Sequence, residues 1–157
     1  MAQLLIVHHT PSPTLQEMLE AVLSGARNDE IEGVTVRTRP ALSTTASDLL
    51  AADAVILGTP ANIGYMSGAL KHFFDTVYYP AGTDTTGLAY ALYVHGNSDT
   101  TGAVRAVESV ASGMSWHQHR PPVTVTGSLT SADRAALWEL GAVTALAATA
   151  DGPKGLV

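Results

Sequence analysis

The chain has 157 residues, 46% hydrophobic and 14% charged, which fits one globular domain able to bury about 70% of its unfolded surface. A formal net charge of −6 and an isoelectric point near 5.3 leave no basic stripe for a nucleic acid or for an anionic membrane. The absence of cysteine excludes disulfides, thiol catalysis and cysteine-held iron–sulfur clusters.

The opening "MAQLLIV" is too short for a signal core and has no basic flank, and no apolar run approaches the roughly 20 residues needed to span a bilayer. A cytoplasmic location is the expectation. "QLLIVH" reads as a strand covered on both faces. Leu15, Met18, Leu19, Val22, Leu23 and Ala26 then recur at helical spacing. "GVTVRT" predicts a second strand, "SDLLAA" a short helix, and "DAVILGTP" a third, central strand closed by Gly58 and Pro60. Met66, Leu70, Phe73, Phe74 and Val77 mark another helix, "GLAYALYVHG" a fourth strand, and Val104, Val107, Ala111 and Met114 a fourth helix. "PPVTVTG" is expected to be a short fifth strand, and "TSADRAALWELGAVTALAA" a last helix opened by a Thr130–Asp133 capping box.

Strand and helix therefore alternate five times. Right-handed crossovers then lay helices on both faces of a parallel sheet, a three-layer α/β sandwich. The expected strand order is 2-1-3-4-5, with one domain over residues 1–150 and a loose tail at 151–157.

Ligands in such sheets bind beyond the carboxyl ends of the strands, where the strand order reverses. Three loops meet there, at residues 9–14, 59–65 and 95–101, rich in hydroxyl residues, Gly and Asn. The first leads into a helix N-terminus, whose free N–H groups and dipole favour an anion. Thr10, Ser12 and Thr14 add hydroxyl donors, while Pro11 and Pro13 each remove a backbone N–H. The competing reading makes Ser12 an N-cap and Pro13 the first helical residue, with no ligand; one site can serve both ends.

The segment "GTPANIGYMSGALKHFFDTVYYP" resembles the third-strand loop and helix of flavodoxin-like FMN proteins, closest to NADPH-dependent FMN reductases and NAD(P)H:quinone oxidoreductases. The match lies on Gly58, Thr59, Pro60, Gly64 and Met66, then Lys71, Phe73 or Phe74, and Asp75. The resemblance implies a flavodoxin-like fold and a non-covalent FMN. It puts the phosphate loop on His9, Thr10, Ser12, Thr14 and Leu15, where relatives usually carry a glycine in place of Pro11 or Pro13. It puts the second flavin loop on Pro60, Ala61, Asn62, Ile63 and Gly64, and the third on His95, Gly96, Asn97, Ser98, Asp99 and Thr100. The expected activity is NAD(P)H-dependent reduction of a quinone, free flavin or similar small acceptor. A homodimer is expected, because flavin enzymes of this fold commonly complete their sites with a second subunit. No protein acid or base is assigned.

Individual residues carry competing readings. Tyr79, in the "YYP" segment, can stack on a flavin ring; Trp116 fits better beneath a helix. His8 and His9, adjacent at a strand end, point to opposite faces and cannot chelate together. His117 and His119 have no carboxylate near them in sequence, and no metal site is expected. His95 can donate to a flavin or substrate, or serve the structure. Lys71 and Asp75 stand one helical turn apart and read as a solvated pair. Two rivals share the fold: a one-electron flavodoxin-type carrier, which is usually far more acidic, and a flavin-free binding or regulatory module.

Overall fold

The computed structural model describes residues 1–149, and the tail expected at 151–157 lies outside them. In chain order the elements are β1 (Ala2–His8), α1 (Pro13–Ala26), β2 (Val34–Pro40), a 3-10 turn (Ala41–Ser43), α2 (Ala46–Leu50), β3 (Ala54–Asn62), β4 (Tyr65–Met66), α3 (Gly68–Ala81), β5 (Ala89–Gly96), α4 (Thr101–Gly113), β6 (His117–Gln118), β7 (Val123–Thr126) and α5 (Ser131–Thr149).

β1, β3 and β5 are apolar without alternation because both of their faces are covered. Leu4, Ile6, Ile56 and Ala91 pack beneath α1 and α5, against Leu15, Met18, Val22, Leu137 and Leu140. Their chain neighbours Leu5, Val7, Val55, Leu57 and Leu92 face the other way, onto Leu70, Phe73, Phe74, Ala103 and Val107 of α3 and α4. Two cores therefore sandwich one sheet. Its parallel backbone runs β2-β1-β3-β5-β6, the predicted 2-1-3-4-5 path with the last two strands renumbered.

Two departures from the sequence expectation matter. The fifth strand is in two pieces: β6 pairs with Ala89 and Tyr90 at the start of β5, and β7 pairs with residues 93–96 at its end. Between them lie Pro121 and Pro122, which have no N–H to give the ladder. The third strand also runs two residues beyond Pro60 and turns back, so that Asn62 pairs with Tyr65 and Ala61 with Met66. A small antiparallel hairpin thus stands on the carboxyl edge of a parallel sheet.

Trp116 is buried as expected. Its ring packs 5.9 Å from Phe74 and 6.0 Å from Tyr90, and its Nε1–H donates to Thr85 Oγ1 at 3.0 Å. The Thr130–Asp133 box forms reciprocally, at 2.9 and 3.1 Å. Lys71 and Asp75 meet at 2.7 Å on an exposed face of α3.

Tyr93 is the anomaly of the core. Its ring lies over Gly58, where an added Cβ would sit 2.2 Å from the phenol oxygen. That hydroxyl is fully buried and has no hydrogen-bond partner among the described residues, and burial pushes its pKa far up. An orphaned buried hydroxyl carries a desolvation cost of about 1–3 kcal/mol. Tyr93→Phe is therefore expected to stabilise the protein by about 1 kcal/mol, read as a raised urea midpoint at unchanged slope; a lower midpoint refutes this.

Candidate functional site

Parallel register sets the three loops side by side. His8, Gly58 and Tyr93 are neighbours across β1, β3 and β5, and Pro60 pairs with His95. Every strand-to-helix loop leaving these positions opens on the same edge of the sheet.

In the first loop, the chain leaves β1 with His9 N–H donating to Gly58 O at 3.0 Å. Ser12 is the N-cap of α1 and Pro13 its first residue; Ser12 Oγ accepts from Leu15 N–H at 3.2 Å. Accepting that bond uses a lone pair and leaves the hydroxyl proton free. The backbone N–H groups of Thr10, Ser12 and Thr14 meet no acceptor among the described residues. The prolines therefore alternate with donors instead of replacing them, and both readings of the loop hold at once. Thr10, Ser12 and Thr14 are all part-exposed at the helix mouth, with Leu15 buried beneath them. No Lys or Arg lies between His8 and Arg27.

In the second loop, Thr59 is wholly buried, its hydroxyl donating to Pro60 O and accepting from Ser67 N–H, which closes the base of the hairpin. The tip, Ile63 and Gly64, has positive φ at both positions, 49° and 72°. This is the left-handed turn that a two-residue hairpin requires. A β-branched side chain there costs about 1–3 kcal/mol of strain, yet Ile63 is fully bare to solvent and contributes nothing to the core. The tip leans on α4: a Cβ on Gly102 would fall 2.0 Å from Gly64 O.

In the third loop, Gly96 lets the chain fold back, since a Cβ there would meet Asp99 O at 2.7 Å. Asp99 accepts from the backbone N–H and hydroxyl of Thr101 at 3.0 and 2.8 Å, and these bonds hold its carboxyl below the usual carboxylate range. Thr100 is the nominal cap of α4 but makes no side-chain capping bond. Asn97 and Ser98 are exposed at the rim. His95 has a structural partner: its Nε2 contacts Gly127 O at 2.8 Å, and a carbonyl can only accept, so the ring donates there.

Tyr79 is not brought to this cluster. α3 continues through Pro80 to Ala81, so Tyr79 lies in its last turn and not in a turn beyond it. A 14-residue helix is roughly 20 Å long and here returns antiparallel to the strands, which carries Tyr79 to the amino edge of the sheet, exposed beside Tyr78. His119 is likewise engaged elsewhere, Nε2–H donating to Thr144 Oγ1 at 2.9 Å while that hydroxyl donates to Leu140 O. Sequence reading missed Gly102 and Gly127, whose roles rest on contacts with distant loops. It also missed that His8, the last residue of β1, reaches the first loop: its Nδ1 lies 2.7 Å from Thr10 Oγ1.

Solved structures share the fold. A flavodoxin, WrbA-like protein from Agrobacterium tumefaciens superposes with a TM-score of 0.74 at 19% identity, covering 94% of this chain and 98% of that one. A Streptococcus pneumoniae TIGR4 flavodoxin gives 0.77 at 22% identity, covering 93% and 99%. The architecture is the flavodoxin-like α/β fold. A flavodoxin from Aquifex aeolicus (strain VF5) is 36% identical over 77 residues, 49% of this chain and 40% of that one, so the match spans less than half of either. The model of the family described as NADPH-dependent FMN reductase matches residues 8–131. The chain belongs to that family, and its cofactor class is FMN. The donor set fits: three neutral hydroxyls and three free N–H groups at a helix N-terminus suit a phosphate, and the bare apolar hairpin tip suits a flat ring.

Proposed function

We propose that the protein is an FMN-dependent oxidoreductase that takes a hydride from NAD(P)H and passes it to a quinone, a free flavin or a similar small acceptor. The observation that carries the proposal is the hairpin tip. Ile63 is held in strained backbone, uncovered, one loop away from an uncharged phosphate mouth. Strain at a bare apolar side chain makes physical sense where a planar apolar ligand covers it.

When bound, FMN supplies the redox chemistry. The chain would hold its phosphate on Thr10, Ser12, Thr14 and the end of α1, and residues 60–64 and 95–100 would line its ring. Asp99 is the sole carboxylate of these loops, and its bonds to Thr101 turn it toward its own helix. A rim with a single carboxylate favours small neutral acceptors over a docked basic protein. NAD(P)H and the acceptor would reach this site from solvent, and a second copy of the chain would complete its wall as a homodimer. No described helix is long and apolar enough to cross a membrane, and we place the protein in the cytoplasm.

A flavodoxin-type carrier is the second reading, favoured by the 36% identity to the Aquifex protein. Purified protein should be yellow and release FMN on denaturation, and should oxidise NADH or NADPH steadily when a quinone is present. Bound FMN without that turnover leaves the carrier. A colourless protein that takes up no FMN rejects both.

The hairpin gives a sharper test. Gly102→Ala forces Gly64 away from α4, because the opposing atom is backbone and cannot rotate aside. FMN affinity is expected to fall about tenfold, read by quenching of flavin fluorescence, with the fold intact. Unaltered affinity means that the hairpin does not touch the ring.

A further inference from the structure

His8 closes β1 and plays no part in the two cores. Leu4 and Ile6 alternate onto the α1–α5 face, and His8 continues that alternation beside Gly58. Its Nδ1 lies 2.7 Å from Thr10 Oγ1, and its Nε2 has no partner among the described residues. Burial, with His9 adding to it, lowers its pKa, which favours the neutral ring carrying one proton.

That single proton has two possible seats, with opposite consequences for Thr10. If Nδ1 is bare, Thr10 spends its hydroxyl proton on the ring and turns its lone pairs outward, which repels an anion. If Nδ1 carries the proton, the ring donates to Thr10 Oγ1 and the hydroxyl proton of Thr10 is released toward the mouth of α1. We propose that His8 is a positioning residue for phosphate recognition: its Nδ1–H donates to Thr10 Oγ1 and directs the Thr10 hydroxyl proton at the phosphate of FMN. This rests on the FMN reading above and adds to it a residue that touches neither the ring nor the phosphate. Each donor here is neutral, so aiming one hydroxyl matters more than it would beside a lysine.

The test compares FMN with riboflavin, which has the same ring and no phosphate. Dissociation constants are measured by fluorescence quenching for the wild-type chain, His8→Leu, Thr10→Val and the double variant. His8→Leu should weaken FMN about tenfold, the size of one hydrogen bond to a charged acceptor, and leave riboflavin unchanged. Thr10→Val should do the same, and the double variant should lose no more than either single one. His8→Asn, whose amide N–H falls where Nδ1–H was, should retain FMN within about threefold, whereas His8→Gln, which places its amide further out, should not. The Asn and Gln pair keeps the test decisive if His8→Leu folds poorly. The inference is overturned if riboflavin weakens in step with FMN, if the two single losses multiply, or if Asn and Gln behave alike. Wild-type protein that binds neither flavin overturns the cofactor reading and this inference together; wild-type binding with any of the other failures overturns this one alone.

Discussion

Ser12→Asp should fold as well as the wild type and bind FMN at least about 100-fold more weakly. Aspartate caps a helix as well as serine does, and its carboxylate accepts the Leu15 N–H that Ser12 Oγ now takes. In the absence of ligand, a negative charge at the start of α1 also favours the helix dipole. Thermal stability is therefore expected to stay level or rise slightly. The phosphate meets a different situation. One hydroxyl donor becomes a carboxylate a few ångströms from a dianion, and such a repulsion near a protein surface is worth several kcal/mol. Riboflavin separates charge from shape, and its affinity should hardly change. Undiminished FMN binding in this variant would put the phosphate somewhere other than the mouth of α1, and the functional proposal would fall with it.

The second large effect concerns the fold. Gly141→Ala is expected to destabilise the protein by about 3 kcal/mol, a fall in Tm of roughly 10 °C for a chain of this size. α1 and α5 cross closely enough that an added Cβ on Gly141 would lie 2.0 Å from Val22 O and 2.9 Å from Ala26 N. Gly25 faces the same seam, and its Cβ would lie 1.8 Å from Trp138 O. These opposing atoms are backbone, so no rotamer relieves the clash, and the helices must separate along a face packed on Leu4, Ile6 and Ile56. The three loops hang from the other end of these strands, so FMN affinity of the folded fraction should change little. A Tm within 2 °C of wild type, taken as roughly half a kcal/mol, would mean that the helices are looser than this seam implies.

The order of elements was legible because β1, β3 and β5 are short continuous apolar runs, separated by stripes of helical period such as Leu15, Met18, Leu19 and Val22. These patterns are local. The caps were legible for the same reason: Ser12 before Pro13, and Thr130 three residues before Asp133, need only their own helices. The Lys71–Asp75 pair also needs nothing beyond a helical turn.

What the sequence did not reveal depends on distance through space. The sequence reading placed Pro121 and Pro122 inside one fifth strand, and the break they make became evident only once β6 and β7 were each paired with β5. The length of α3 decided where Tyr79 went, and helix ends are set by packing as much as by residue type. The first-loop prolines looked like missing donors until the free N–H groups of Thr10, Ser12 and Thr14 were seen to alternate with them. Composition and period thus determined the sequence of elements, the layers and the caps of this protein. The elements and caps follow from bonds within a few residues and their alternation implies the layers, whereas the strand order rests on pairings between residues tens of positions apart. The hairpin on α4, the glycine seam between α1 and α5, and the His8–Thr10 contact were decided only by tertiary structure, where atoms far apart or differently oriented along the chain compete for the same few ångströms.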